Sequence, residues 1–231
     1  MPDTPLYADC TLVFDLDGTL VDTAPDLTAA LNHVLAQEGY APLPLSEVRN
    51  LVGHGARALI ERGMRLNGRI PSGEDMQRMF GQFIDYYGQN IATNSTPFPG
   101  VARTLEYFRS RRARMGVCTN KPEALSHALL HALDMHSHFT AILGSDSLTV
   151  RKPDPAHLLE TIRRAGGDPA RAVLIGDSAV DLDTARAAKI PVVGVSFGYS
   201  QTPMRELGAE IVIDSFDRLI EVLPEILPVR S

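Results

Sequence analysis

Val13-Phe14-Asp15-Leu16-Asp17-Gly18-Thr19-Leu20 is the stretch that decides the fold of this 231-residue chain. The residues leading into it, Thr11 to Phe14, form a short β-branched and aromatic run that carboxylates and a glycine then cut off. Such a run reads as a buried strand ending in a polar loop. Asp15 then stands at the carboxyl end of the strand, where open α/β sheets form their ligand crevice. Asp17 lies two residues on, close enough for both carboxylates to reach one bound ion or one phosphoryl group. A single D-x-D-G is also what an ordinary strand followed by an Asp-Gly turn looks like. Three later segments decide between these readings: Cys118-Thr119-Asn120, Arg151-Lys152-Pro153 and Gly176-Asp177-Ser178-Ala179-Val180-Asp181.

Working outward, strands and helices alternate after residue 100. The strands are expected at 115–118, 141–144, 172–175, 192–195 and 211–213, and the helices at 122–133, 155–165, 179–188 and 215–223. That alternation is the signature of a doubly wound parallel sheet, a Rossmann-like α/β core. Pro122 and Pro155 each fall where a first helical turn tolerates proline. Between Asp15 and the next core strand, however, the gap is far longer than the ~30 residues of a whole crossover unit. Something folded is inserted there, and it is helical by period. Thr23 can cap a helix with Pro25 in its first turn, ended by Gly39; Ser46 can cap a short one; Gly53-His54-Gly55 interrupts. Ala56 to Leu66 resumes helical spacing, and Ser72 opens a last helix with Met76, Met79, Phe80 and Phe83 on one face. No strand pattern occurs between Leu20 and Thr93. The expected organisation is therefore an α/β core of residues 1–20 and 94–231 with a small all-helical cap of residues 21–93.

Composition excludes several functions. A net charge of -6 argues against nucleic acid, which needs a basic face, and means that any anionic substrate must be met by local positive charge. No apolar run approaches the ~20 residues needed to span a bilayer, and residues 1 to 9 lack a signal-peptide profile. A cytoplasmic, soluble chain is the expectation. The two cysteines, Cys10 and Cys118, fall at or in expected strands and read as reduced packing thiols. His127 and His131, one helical turn apart with His136 and His138 nearby, lack the partners of a metal motif and read as surface and packing residues.

Taken in order, D-x-D-G-T, then a threonine, then a lysine, then G-D-x-x-x-D resembles the haloacid dehalogenase-like phosphatase superfamily over almost the whole chain. The resemblance implies a covalent mechanism with Mg²⁺. Asp15 would be the nucleophile, forming an aspartyl-phosphate that water later cleaves. The metal would take side-chain oxygens from Asp15 and Asp177 and the backbone carbonyl of Asp17, with Asp181 and Ser178 behind it orienting metal-bound water. The Asp17 side chain is then left for general acid–base work on the leaving alkoxide and the attacking water. Thr119 would donate its hydroxyl to the phosphoryl group, Asn120 could add an amide, and Lys152 would balance the negative charge and hold Asp15 ionised.

Four further stretches sharpen the match: Leu51-Val52-Gly53-His54-Gly55-Ala56, Thr119-Asn120-Lys121-Pro122, Lys152-Pro153-Asp154-Pro155 and Phe197-Gly198-Tyr199-Ser200. They resemble the bacterial phosphoglycolate phosphatases, which implies hydrolysis of 2-phosphoglycolate to glycolate. His54 departs from the asparagine or glutamine that is commoner at that point of the pattern. The substrate's carboxylate would be met by N–H groups at Gly53 to Ala56, with Arg57 or Lys121 as charge partner. A sugar-phosphate phosphatase or phosphomutase would share every core residue and differ in the cap. A phospho-accepting signalling domain would share the aspartate, threonine and lysine but needs neither cap nor acid–base residue. The expected partner is one small phosphorylated metabolite, and the expected state a monomer or homodimer.

Overall fold

A computed structural model of the chain describes residues 7–227. Residues 1–6 and 228–231, which the sequence reading assigns to the core, lie outside the described residues. Six parallel strands make the main sheet: β1 (Thr11–Phe14), β4 (Arg114–Cys118), β5 (Ala141–Leu143), β6 (Ala172–Gly176), β7 (Val192–Val195) and β8 (Ile211–Ile213). Their order is β5-β4-β1-β6-β7-β8, so β1 is central, paired to β4 on one side and β6 on the other. Between them in the chain run α5 (Val101–Ser110), α6 (Glu123–Ala132), α7 (Pro155–Arg164) and α8 (Ala179–Ala188), and α9 (Asp217–Ile226) follows β8.

Alternation along the strands explains the two-faced burial. Leu12 and Phe14 pack with Val173, Ile175, Val117 and the apolar stripes of α5 and α9 on one side. Val13 and Leu174 point the other way, against Leu158 and Ile162 of α7 and Leu182 and Ala185 of α8. Each strand side chain is thus buried whichever way it points, as a sheet covered by helices on both faces requires. Asp154 accepts from the Ala156 N–H at the start of α7, and Pro155 occupies its first turn.

The inserted stretch folds into α1 (Ala24–Gln37), α2 (Leu45–Arg49), α3 (Ala56–Leu66) and α4 (Gly73–Gln89). Leu31, Val34, Leu35, Ile60, Met64, Met79 and Phe83 bury one another in a core separate from those of the sheet. Ser72 caps α4 as expected, accepting from the Asp75 N–H. Two expected caps are corrected. Ser46 lies inside α2, which starts after Pro44. Thr23 precedes α1 but makes no side-chain cap bond there: its backbone is helical (φ -95°, ψ -6°) rather than extended, and its hydroxyl donates to Asp17.

The expectation of no strand between Leu20 and Thr93 is also corrected. β2 (Val21–Asp22) pairs antiparallel with β3 (Thr96–Pro97), joining the two chain segments that lead into and out of the helical insert. Two residues are too short for any period to be read. Asp26 in α1 clasps the same crossing: its buried carboxylate accepts from the N–H groups of Asn94 and Ser95, the Asn94 amide and the Ser95 hydroxyl.

Candidate active site

Phe14 is locked in register between β4 and β6, and the next N–H, that of Asp15, still donates to the Ile175 carbonyl at 2.9 Å. Asp15 is therefore held rigidly at the carboxyl edge of the central strand, and it is buried. Lys152 Nζ sits 2.9 Å from Asp15 Oδ1 and 2.6 Å from Asp181 Oδ1. Asp177 follows β6, and its Oδ2 accepts the Tyr199 N–H at 2.6 Å. Asp181, in the first turn of α8, receives the Ser178 hydroxyl and N–H on its other oxygen at 2.6 and 3.2 Å. Carboxylate oxygens of Asp15, Asp177 and Asp181 all lie within 4.8 Å of one another.

The charges in this cluster do not balance. The Lys152 ammonium pairs with two of the cluster's three buried carboxylates, Asp15 and Asp181. Burial pushes the Asp15 carboxyl up to about 6, with Lys152 pulling against it. Burial, together with Asp181 and Asp15, holds Asp177 well above the ordinary carboxylate range. Burial opposes the Lys152 charge, but Asp15 and Asp181 outweigh it and hold the ammonium above its ordinary value. An all-oxygen set short of positive charge suits a hard dication such as Mg²⁺. Asp15 and Asp177 are placed to ligate it. Asp181 has both oxygens engaged, by Lys152 and Ser178.

Close approach to Asp177 explains two glycines. Gly18 has φ +84°, and a Cβ there would meet Asp177 Oδ2 at 2.5 Å and the Tyr199 ring at 2.8 Å. A Cβ on Gly198 would strike the same carboxylate from the other side. Gly18→Ala should therefore lower stability by ~1–3 kcal/mol from the left-handed backbone alone. It should also raise the Mg²⁺ concentration needed for half-maximal thermal stabilisation, because Asp177 must shift. An unchanged melting curve and Mg²⁺ response would contradict this.

Asp17 is placed differently from Asp15. Thr23 donates its hydroxyl to Asp17 Oδ1 at 2.7 Å, and Lys121 Nζ lies 2.7 and 3.0 Å from the two carboxylate oxygens. Lys121 is buried, with its ammonium 4.6 Å from the centre of the Tyr87 ring of α4. A narrow cavity of about 30 Å³ opens above them. Asp15, Asp17, Thr119, Asn120 and Lys121 form its polar floor, and Leu27, Leu59, Phe83, Ile84, Tyr87 and Leu125 its apolar wall. Gly53, Gly55 and Ala56 close one side at the N-terminus of α3.

The other expected residues divide. Thr119 is buried on the floor, its oxygen accepting the Lys121 N–H at 3.2 Å. Asn120 turns its amide N–H groups to the carbonyls of Gly53 and Lys152, so it ties the insert's loop to the core. Lys121 is not a free charge partner, because Asp17 holds it. Arg57 is corrected outright: it is exposed, bonds Gln77 at 2.6 Å and covers the Phe80 ring on the outside of α4. His54 is exposed and lines a neighbouring cleft with Arg62, Asp177 and Ser178 rather than the chamber over Asp15. Tyr87, Thr23 and Tyr199 complete the site, though the sequence marks none of them as part of it; only Tyr199 carries a signal, within Phe197-Gly198-Tyr199-Ser200.

The family model for haloacid dehalogenase-like hydrolases matches residues 12–195. The chain is 47% identical over 214 residues to the phosphoglycolate phosphatase of Mesorhizobium japonicum, covering 93% of this chain and 94% of the relative. It is 49% identical over 206 residues to that of Caulobacter vibrioides, covering 89% and 87%. Among solved structures, the predicted phosphoglycolate phosphatase of Haemophilus somnus superposes with a TM-score of 0.86 at 28% identity, over 94% of this chain and 97% of the other.

Proposed function

Because the chain belongs to the haloacid dehalogenase-like hydrolases, we propose that it is a Mg²⁺-dependent phosphatase of small phosphorylated acids, with 2-phosphoglycolate as its substrate. The observation that carries this is the buried carboxylate cluster of Asp15, Asp177 and Asp181, whose Asp15 lies on the floor of a narrow, apolar-walled chamber. Residues 21–93 act as the cap that closes the chamber over a core of residues 1–20 and 94–231. Asp15 attacks phosphorus and carries the phosphoryl group as an aspartyl-phosphate. Asp17 gives a proton to the departing alkoxide and takes one from the water that hydrolyses the acyl phosphate. The Thr119 hydroxyl holds a phosphoryl oxygen, and the Lys152 ammonium balances the negative charge and keeps Asp15 ionised against burial. Asp15, Asp177 and the Asp17 carbonyl would hold Mg²⁺, which would supply the charge neutralisation that lets an anion attack an anion.

Substrate choice follows from what the chamber offers. Its walls carry few groups that could satisfy the hydroxyls of a hexose phosphate, and a buried hydroxyl without a partner is costly. A two-carbon acid needs only one anion site. Among the described residues lining the chamber, Lys121 is the one cation, paired though it is with Asp17, and the first N–H groups of α3 have no side-chain cap at Gly55. Those N–H groups suit a carboxylate. A phospho-accepting signalling domain has no use for such a chamber or for a second carboxylate beside the nucleophile. Phosphate release measured side by side on 2-phosphoglycolate, glucose 6-phosphate and glycerol phosphate should give kcat/KM at least about 100-fold higher for the first, the gap expected of a matched against an unmatched polar group. A hexose phosphate ahead of phosphoglycolate would remove the substrate assignment and leave the chemistry at Asp15 intact.

A further inference from the structure

Tyr199 makes two sets of contacts that belong to different parts of the molecule. Its backbone N–H donates to Asp177 Oδ2 at 2.6 Å. Its phenol donates to Asp22 Oδ1 at 2.7 Å and accepts the Ala24 N–H at 3.0 Å, both on the segment that leads from the core into the helical insert. Asp22 is held from its other side by Arg49 of α2, whose guanidinium donates to Oδ2 at 2.7 Å and lies 5.5 Å from the Tyr199 ring centre. Tyr199 is buried, and burial and the bond to Asp22 keep its phenol protonated, so the donor is always present. One residue thus touches a carboxylate of the acidic cluster with its backbone and the hinge of the insert with its side chain.

We infer that Tyr199 is a positioning residue that couples the docking of the helical insert, through Arg49 and Asp22, to the orientation of Asp177. The inference rests on the reading of Asp177 as a metal carboxylate. The loop has no slack to absorb a shift, because Gly18 and Gly198 approach Asp177 so closely that neither has room for a Cβ. Moving the hinge moves the phenol, and the backbone N–H that fixes Asp177 Oδ2 moves with it. By linkage, an insert held in place raises the affinity of the cluster for a dication, and a bound dication holds the insert in place.

The test is Mg²⁺ binding to the metal-free full-length protein without substrate, read as the Mg²⁺-dependent rise in melting temperature. Arg49→Gln breaks the latch from the insert side, at a side chain 38% exposed in the present structure, so the fold is spared. Coulomb's law alone says that deleting a cation near carboxylates should tighten dication binding. The coupling predicts the opposite sign: a half-saturating Mg²⁺ concentration raised about 5-fold, at the low end of allosteric couplings. Tyr199→Phe keeps both the ring and the N–H on Asp177 but removes the phenol's two bonds. It should weaken Mg²⁺ roughly 10-fold, as removal of support behind a metal ligand does. Arg65→Gln, which removes an exposed cation paired within α3, should bind as wild type. Wild-type Mg²⁺ response in Arg49→Gln and Tyr199→Phe, or tighter binding in Arg49→Gln, overturns the inference while the metal reading stands. A wild type indifferent to Mg²⁺ removes the metal reading and this inference with it.

Discussion

Asp15→Asn is expected to reduce turnover of every phosphomonoester by roughly 10⁵-fold, about 7 kcal/mol of barrier, because the attacking atom itself is lost. The same substitution should not destabilise the metal-free protein. Burial raises the Asp15 carboxyl from 3.8 to about 6. A raised folded value means that the acid is favoured in the fold and the carboxylate is not. Its stabilising contribution is complete below the unfolded value and is lost as pH rises through the folded one. The amide is neutral at every pH, so wild type should lose stability relative to Asp15→Asn as pH rises from about 4 to about 6. Melting curves in EDTA across that range test the sign. Added Mg²⁺ should reverse the order at neutral pH, since only the carboxylate gives the dication a charged ligand. Retained turnover in the variant would remove Asp15 as nucleophile. A melting point that falls equally at pH 4 and pH 6 would show that the carboxylate is not under electrostatic load.

The core of this site was legible because its chemistry lies at strand ends, and strand ends can be read. Asp15, Thr119 and Asp177 each follow an apolar run, and a central parallel strand fixes the position of the next residue to within the reach of one bond. Lys152 was readable only through its company, since a lysine before a proline has no period. What sequence could not supply were pairings across distance. Lys121 to Asp17 spans 104 positions and Tyr199 to Asp22 spans 177. Nothing local marks either lysine or tyrosine as bound to a partner. Arg57 shows the limit of helical phase: it lies three residues before buried Ile60, beside the buried stripe, and Gln77 and Phe80 of the neighbouring helix draw it outward. Thr23 has the composition and position of a helix cap, but its backbone is already helical, so its oxygen accepts no cap bond while its hydroxyl donates to the Asp17 carboxylate.

Asp17→Asn should behave in the opposite way from Asp15→Asn in stability and more selectively in catalysis. Asp15 shares Lys152 with Asp181, whereas Asp17 has Lys121 and the Thr23 hydroxyl to itself. Burial opposes the Lys121 charge, yet Asp17 and Tyr87 outweigh it and hold the ammonium above its ordinary value. Its side chain is only 3% exposed. An asparagine can still accept from Thr23 and Lys121 through Oδ1, but its NH₂ then faces an ammonium that has lost its counterion. Leaving one member of a buried pair uncompensated costs about 3 kcal/mol, a melting point lower by roughly 6–12 °C for a chain of this length. Catalysis should be tested below that temperature. The backbone carbonyl at position 17 remains for the metal, so what is lost is the proton relay. Hydrolysis of 2-phosphoglycolate, whose alkoxide leaves poorly, should fall roughly 10³-fold, and that of p-nitrophenyl phosphate, whose phenolate needs little protonation, about 10-fold or less. Equal losses on both would deny Asp17 the acid role. A full-strength melting point would deny that Lys121 depends on it.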